Sequence, residues 1–201
     1  MTLKLAVLIS GGGTTLQNFI NLIGLGKLDA KIEVVISSRP FVEGVERARR
    51  ARIPTEVIER QRFESDEAYG AAITDVVDRC GVDLVLCAGF TRRYLFPERY
   101  KGRVLNIHPG LLPKFGGKGM YGHHVHEAVL TAGETESGCT VHIADEEYDR
   151  GPILVQQRVP VLPGDTPETL AARVFEAECI AYPEAVRLMA DRLNGAWSKG
   201  G

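Results

Sequence analysis

Asn106 and His108 lie two residues apart in the run Val104-Leu105-Asn106-Ile107-His108-Pro109. In an extended chain that spacing puts both side chains on one face. Pro109 biases His108 toward an extended backbone and cannot continue a hydrogen-bonded ladder, so the pair is expected at a strand's C-terminal edge. In open α/β sheets that edge is where ligands bind. A side-chain amide beside an imidazole suits acyl transfer. The amide donates to an oxyanion, and a protonated imidazole both donates and shuttles a proton. The plainer alternative is a strand end whose polar groups bond to neighbouring loops.

A second stretch offers different chemistry. Leu3 to Ile9 reads as a buried strand that runs into Ser10-Gly11-Gly12-Gly13-Thr14-Thr15 and then the apolar-periodic Leu16, Phe19, Ile20 and Ile23. Strand, glycine turn and helix start together aim backbone N–H groups and a helix dipole at an anion. No Gly-Lys-Ser/Thr follows, and Leu16 stands where a dinucleotide fingerprint would have its third glycine. A single phosphate monoester therefore fits better than a pyrophosphate, with a Cβ at Gly13 expected to block the backbone's approach. A tight strand–helix turn without a ligand is the alternative.

The remaining pattern supplies the elements that must position these groups. Strands are expected at 32–37, 53–58 and 82–87, the last nearly all apolar as in a parallel sheet covered on both faces. Helices are expected at 42–52 and at 65–80, the latter with Ala68, Ala72, Ile73, Val76 and Val77 inward. After His108 the glycine-rich stretch from Leu111 to Gly122 reads as a mobile loop over a site. A helix from Val125 to Thr131 follows, then strands at 138–143 and 153–161, antiparallel because their link is short. Thr166-Pro167 caps a last helix with Leu170, Val174, Ala177 and Ala181 on one face, kinked at Pro183 and frayed from Asn194. The whole predicts a single α/β domain over residues 1–201: a doubly wound, mostly parallel sheet with an antiparallel C-terminal strand pair.

Composition narrows the function. A charge of −2, from 24 basic and 26 acidic residues, gives no footprint for nucleic acid. The arginines at 47, 49, 50 and 52 read as a solvated helix face. No apolar run reaches membrane-spanning length, and the first strand is too short for a signal peptide. The four cysteines are scattered, as reduced cysteines of a cytoplasmic protein would be. His123, His124, His126 and His142 lack the spacing of a helical metal pair, so no metal is expected. His124 and His126 are expected along a site wall or at a helix cap.

Taken together, the loop at 10–15, Ala88-Gly89-Phe90, Asn106-Ile107-His108-Pro109, Leu111-Leu112-Pro113-Lys114 and Asp149-x-Gly151-Pro152 resemble the phosphoribosylglycinamide formyltransferases (GAR transformylases). The resemblance spans residues 3 to 185 and implies the Rossmann-like formyltransferase fold. The Asn-x-His-Pro and Leu-Leu-Pro motifs belong to the wider folate-dependent formyltransferase superfamily. Methionyl-tRNA formyltransferase and formyltetrahydrofolate deformylase usually carry a further domain, and 201 residues leave room for neither.

The resemblance implies that the chain transfers a formyl group from the cosubstrate 10-formyltetrahydrofolate to the amine of 5-phosphoribosylglycinamide (GAR), as a monomer or homodimer, without nucleic acid or membrane. It implies that Asn106 holds the formyl oxygen and that His108 is the protonated oxyanion donor. Asp149 would then raise the pKa of His108 above about 6.5. Gly13, Thr14 and Thr15 would bind the GAR phosphate and Glu178 the ribose hydroxyls. Thr91, Arg92, Arg93 and Tyr94, with Asn106, would line the folate pocket, and the 144–149 loop would close on the pterin.

Three departures stand out. Thr15 replaces the family's asparagine, Asp66 occupies a position where relatives often carry an arginine that reaches the cosubstrate, and Phe175 takes a Lys or Gln position near the phosphate. Residues 118–122 resemble a short insertion. Other acceptors, such as an amino sugar nucleotide or water, and a catalytically silent folate- or nucleotide-binding module are the competing functions.

Overall fold

A computed structural model describes residues 2–145 and 147–197. Glu146 of the acidic link and residues 198–201 of the expected frayed tail lie outside the described residues. Chain order is β1 (Leu3–Ile9), α1 (Thr14–Gly24), β2 (Ala30–Ser37), α2 (Glu43–Arg50), β3 (Thr55–Val57), α3 (Asp66–Cys80), β4 (Leu84–Cys87), β5 (Val104–His108), α4 (His123–Thr131), β6 (Glu136–Ile143), β7 (Ile153–Pro160) and α5 (Pro167–Trp197). The seven strands form one sheet in the order 3-2-1-4-5-6-7. β1 runs parallel to β2 and β4, β2 runs parallel to β3, and β6 pairs antiparallel with β7. This is the α/β class and sheet the pattern predicts. The chain divides into two units, Met1–Leu105 and Asn106–Gly201, at a point inside β5.

In the first unit β1 lies between β2 and β4, and Leu5 to Ile9 are wholly buried. An unbroken apolar run is what a parallel strand covered on both faces requires. Strand order reverses between β1 and β4, so the loops leaving their C-terminal ends border a topological switch point. α3 starts on Ser65, whose hydroxyl accepts from the Ala68 N–H at 3.2 Å, and stops on Gly81 in the left-handed conformation. Its buried face is Tyr69, Gly70, Ile73, Thr74, Val76 and Val77. Ala68, expected inward, is exposed. The Tyr69 side chain, among the largest wholly buried ones, sets the inward face instead.

In the second unit α5 packs on β6 and β7, and α4 packs on α5. Thr166 and Thr169 cap α5 reciprocally: the Thr169 N–H donates to the Thr166 hydroxyl at 3.3 Å, and the Thr166 N–H donates to the Thr169 hydroxyl at 2.9 Å. Leu170, Val174, Ala177 and Ala181 are buried as their spacing predicts. The helix continues through Pro183 to Trp197.

Candidate active site

β5 delivers half-buried Asn106 and buried His108 to the same side of the strand, where both reach Asp149. Asp149 lies in the link between β6 and β7 at φ 57, a left-handed conformation that Asp adopts more readily than most side chains. Its Oδ2 accepts from the Gly117 N–H at 2.9 Å and lies 3.6 Å from His108 Nδ1. Its Oδ1 lies 3.4 Å from both Asn106 Nδ2 and His142 Nε2. The carboxylate fixes the Asn106 amide, because turning the amide over would set Oδ1 against an anion.

His142 completes the cluster from β6. Its Nδ1 donates to the Ile143 carbonyl at 3.1 Å, which leaves Nε2 of the neutral ring to accept from Asn106 Nδ2 at 3.1 Å. Protonation of His142 would instead turn Nε2 into a donor to Asp149. The His108 ring is held in a similar way. Its Nε2 donates to the Phe115 carbonyl at 2.8 Å, so in the neutral ring Nδ1 bears the lone pair that faces Asp149. The loop after β5, expected mobile, is tied down here through Phe115 and Gly117, and Lys114 pairs with Glu134 at 2.9 Å.

The electrostatics correct one expectation. His108 is not raised but lowered from its ordinary pKa: burial disfavours the imidazolium, and Asp149 and the Phe115 carbonyl only partly offset it. Burial would raise the Asp149 carboxyl, but hydrogen bonds involving His142 and the Gly117 N–H, with the charge of His108, hold it below its usual value. The resting pair is therefore an anionic carboxylate beside an imidazole that resists protonation.

The first unit holds the glycine loop. Gly13 caps α1 at φ 67 without a side-chain bond, so the first-turn N–H groups of α1 have no partner within the helix. Gly13 is required, though by its neighbour: a Cβ there would come within 2.6 Å of Gly44 Cα on α2. Gly44 is required in turn, since its Cβ would meet Ile9 and the Gly11 carbonyl at 2.6 and 2.8 Å. Thr14 is exposed and Thr15 buried. Ser10, on the loop's inner side, accepts from the Ser38 hydroxyl at 2.7 Å and from the Thr91 N–H at 2.9 Å. The segment assigned to folate is thus tied to the glycine loop at its first residue. Arg92 and Arg93 are exposed beyond it, whereas the Tyr94 ring turns inward and its hydroxyl bonds Thr74 at 3.0 Å. Asp66 is ion-paired with Arg60.

In the second unit Glu178 is half-buried on α5, with no bond from a described residue, and burial pushes its carboxyl up to about 7. Phe175, one turn earlier, is half-buried. His123 and His124 are exposed and pair with Glu127 and Glu168. His126 is buried with Nδ1 unpartnered, and its burial lowers its pKa to about 4. Among the described residues no three His, Cys, Asp or Glu side chains come together as a metal ion would need. No helix of the described residues is long and apolar enough to cross a membrane.

The sequence singles out His142 only as one of several histidines without metal-pair spacing, and the Phe115 carbonyl carries no side-chain signal at all. Arg47 was hidden among neighbouring arginines. Arg49 and Arg50 pair with Glu46 and Glu43 at 2.7 and 2.5 Å, while Arg47 leaves the helix face to bond the glycine loop.

A mostly parallel α/β sheet with an amide, an imidazole and a carboxylate gathered at one strand end is an arrangement that suits acyl-group transfer. Comparison with known proteins gives the family. Residues 3–186 match the formyl transferase family. The chain is 46% identical over 191 residues to the trifunctional purine biosynthetic protein adenosine-3 of Drosophila pseudoobscura pseudoobscura, covering 93% of this chain and 14% of that one. It is 40% identical to the phosphoribosylglycinamide formyltransferase of Haemophilus influenzae, covering 92% of this chain and 85% of that one. The crystal structure of glycinamide ribonucleotide transformylase 1 from Symbiobacterium toebii superposes with a TM-score of 0.86 at 39% identity, over 94% of this chain and 88% of that one. The chain spans less than a fifth of the length of the trifunctional relatives. It belongs to the formyl transferase family.

Proposed function

We propose that the chain transfers a formyl group from 10-formyltetrahydrofolate to the amine of GAR in de novo purine biosynthesis. The observation that carries this is the convergence of Asn106, His108 and Asp149 in a formyl transferase whose relative of similar length is a phosphoribosylglycinamide formyltransferase. The GAR amine attacks the formyl carbon, a C–N bond forms and the carbonyl oxygen becomes an oxyanion. Asn106 Nδ2 and the protonated His108 donate to that oxyanion. As the tetrahedral centre collapses, the bond to folate N10 breaks, a proton passes from the attacking nitrogen to N10, and tetrahydrofolate leaves. Asp149 stays ionised and balances the imidazolium. Gly13, Thr14 and Thr15 take the substrate phosphate, and Glu178 takes the ribose hydroxyls. Thr91, Arg92 and Arg93 present the exposed part of the folate wall, with Tyr94 contributing through its backbone. The setting is the cytoplasm, which suits four cysteines that form no disulfide.

The test offers 10-formyltetrahydrofolate with GAR, methionyl-tRNA, an amino sugar nucleotide or water in parallel. Tetrahydrofolate should be released quickly with GAR alone. Asn106→Ala should slow it by roughly 10²–10³-fold, as loss of an oxyanion donor does. Faster turnover with another acceptor would overturn the GAR assignment and leave formyl transfer standing.

A further inference from the structure

The glycine loop is oriented by α2 through its two carbonyl groups. The Gly44 N–H donates to the Gly11 carbonyl at 3.1 Å. The Arg47 Nε–H donates to the Gly12 carbonyl at 2.9 Å, and Arg47 Nη1 reaches Gln17 Oε1 on α1 at 3.3 Å. In a trans peptide the C=O of one residue and the N–H of the next point in opposite directions. Holding the carbonyls of Gly11 and Gly12 toward α2 therefore turns the N–H groups of Gly12 and Gly13 away from it. No described acceptor takes either N–H. They join the free first-turn N–H groups of α1 as donors left for an anion.

The guanidinium also brings charge. Glu43 lies 4.0 Å from Arg47 Nε, but its carboxylate is bonded to Arg50 at 2.5 Å. Among the described residues the ion pair of Arg47 with Glu43 is thus a long one, and Arg47 lies against the back of the loop, its Cδ 3.6 Å from the position of a Gly13 Cβ. A lysine could carry the charge, but it lacks the planar fork that bonds Gly12 and Gln17 at once.

We propose that Arg47 is a positioning residue for the acceptor's phosphate: it sets the direction of the Gly13 N–H and lends positive charge behind the loop. This rests on the assignment of the 11–15 loop to that phosphate.

The experiment compares kcat/KM for GAR with kcat/KM for the same acceptor lacking its phosphate, glycinamide riboside, in the wild type, Arg47→Met and Arg47→Lys. The wild type should strongly prefer GAR. Arg47→Met should lose roughly 10–100-fold on GAR, the size of a charge-assisted contact, and change less than about twofold on the riboside. The loss should lie in KM for GAR, with KM for 10-formyltetrahydrofolate and kcat at saturation held. Arg47→Lys should recover only part of it, and it carries the test if the methionine variant does not fold. Equal losses on both acceptors or no loss on GAR would each overturn the role of Arg47, and full recovery by lysine would overturn its setting of the Gly13 N–H. A wild type indifferent to the phosphate would instead remove the cradle assignment itself.

Discussion

Asp149→Asn isolates the charge at the centre of the cluster. Asparagine matches the shape, tolerates the left-handed backbone at φ 57, and can still accept from the Gly117 N–H through its amide oxygen. What it removes is the anion 3.6 Å from His108 Nδ1. At that distance, with an effective dielectric near 20, the attraction for an imidazolium is roughly 5 kcal/mol, a ceiling of about three pK units. Opposite charges at such range commonly shift a pKa by about one to three units. His108 already sits below its ordinary value because it is buried, so the variant should push it lower still. If the imidazolium is the oxyanion donor, its population near pH 7 falls tenfold per unit, and kcat should drop roughly 10–10³-fold. Activity should recover as pH is lowered toward the new pKa. The assay is the pH dependence of kcat together with NMR titration of the His108 ring in both proteins. A His108 titration that moves by less than about half a unit would refute the charge coupling. So would a kcat loss that is the same at every pH.

Two further outcomes follow from buried ionisable groups. Glu178, proposed to bind the ribose, has its carboxyl raised to about 7, so its carboxylate form builds up only as pH rises through that value. KM for GAR should fall between about pH 6 and 8 in the wild type, and Glu178→Gln should flatten that dependence; an unaltered profile would remove Glu178 from the acceptor site. His126 is depressed to about 4 from 6.5, so the unfolded chain takes up its proton first as pH falls. Its stabilising contribution is complete above pH 6.5 and lost on the way down to 4, about 3 kcal/mol in all. Urea unfolding across that range should show the slope in the wild type and a shallower one in His126→Gln.

The parts of the site that were legible in the sequence are those fixed by local geometry. Period-2 alternation puts Asn106 and His108 on one face whatever surrounds the strand, and the proline after them marks its end. The glycine loop was visible for the same reason, as a strand–turn–helix junction. Asp149 was reachable only through its motif, since nothing in the spacing from residue 108 to 149 says that a left-handed turn returns a carboxylate to the end of β5. Arg47 was concealed by company: among several arginines on one helix, only the approach of α2 over Gly44 decides which one bonds the loop. The lowered pKa of His108 is not legible in the sequence because burial is non-local. The sequence names the partner charge but not the enclosure that outweighs it.

Under the proposed mechanism, the groups that would donate to the oxyanion are already in use in the resting cluster. Asn106 Nδ2 serves His142 at 3.1 Å and Asp149 at 3.4 Å, and His108 Nε2 serves the Phe115 carbonyl at 2.8 Å. A buried amide and imidazole left unpaired would cost about 1–3 kcal/mol each, so the fold supplies partners in the absence of substrate. The choice of partner matters for the chemistry. A formyl oxygen in the ground state is a neutral carbonyl, no better an acceptor than Phe115, and gains little by displacing it. An oxyanion bonds roughly twice as strongly as a neutral acceptor. It also adds negative charge beside Asp149, which draws a proton onto His108. In the proposed reaction, exchange of partners would therefore become favourable as the tetrahedral centre forms. Binding energy is then realised at the transition state and withheld from the bound substrate, which is the condition for these contacts to raise kcat.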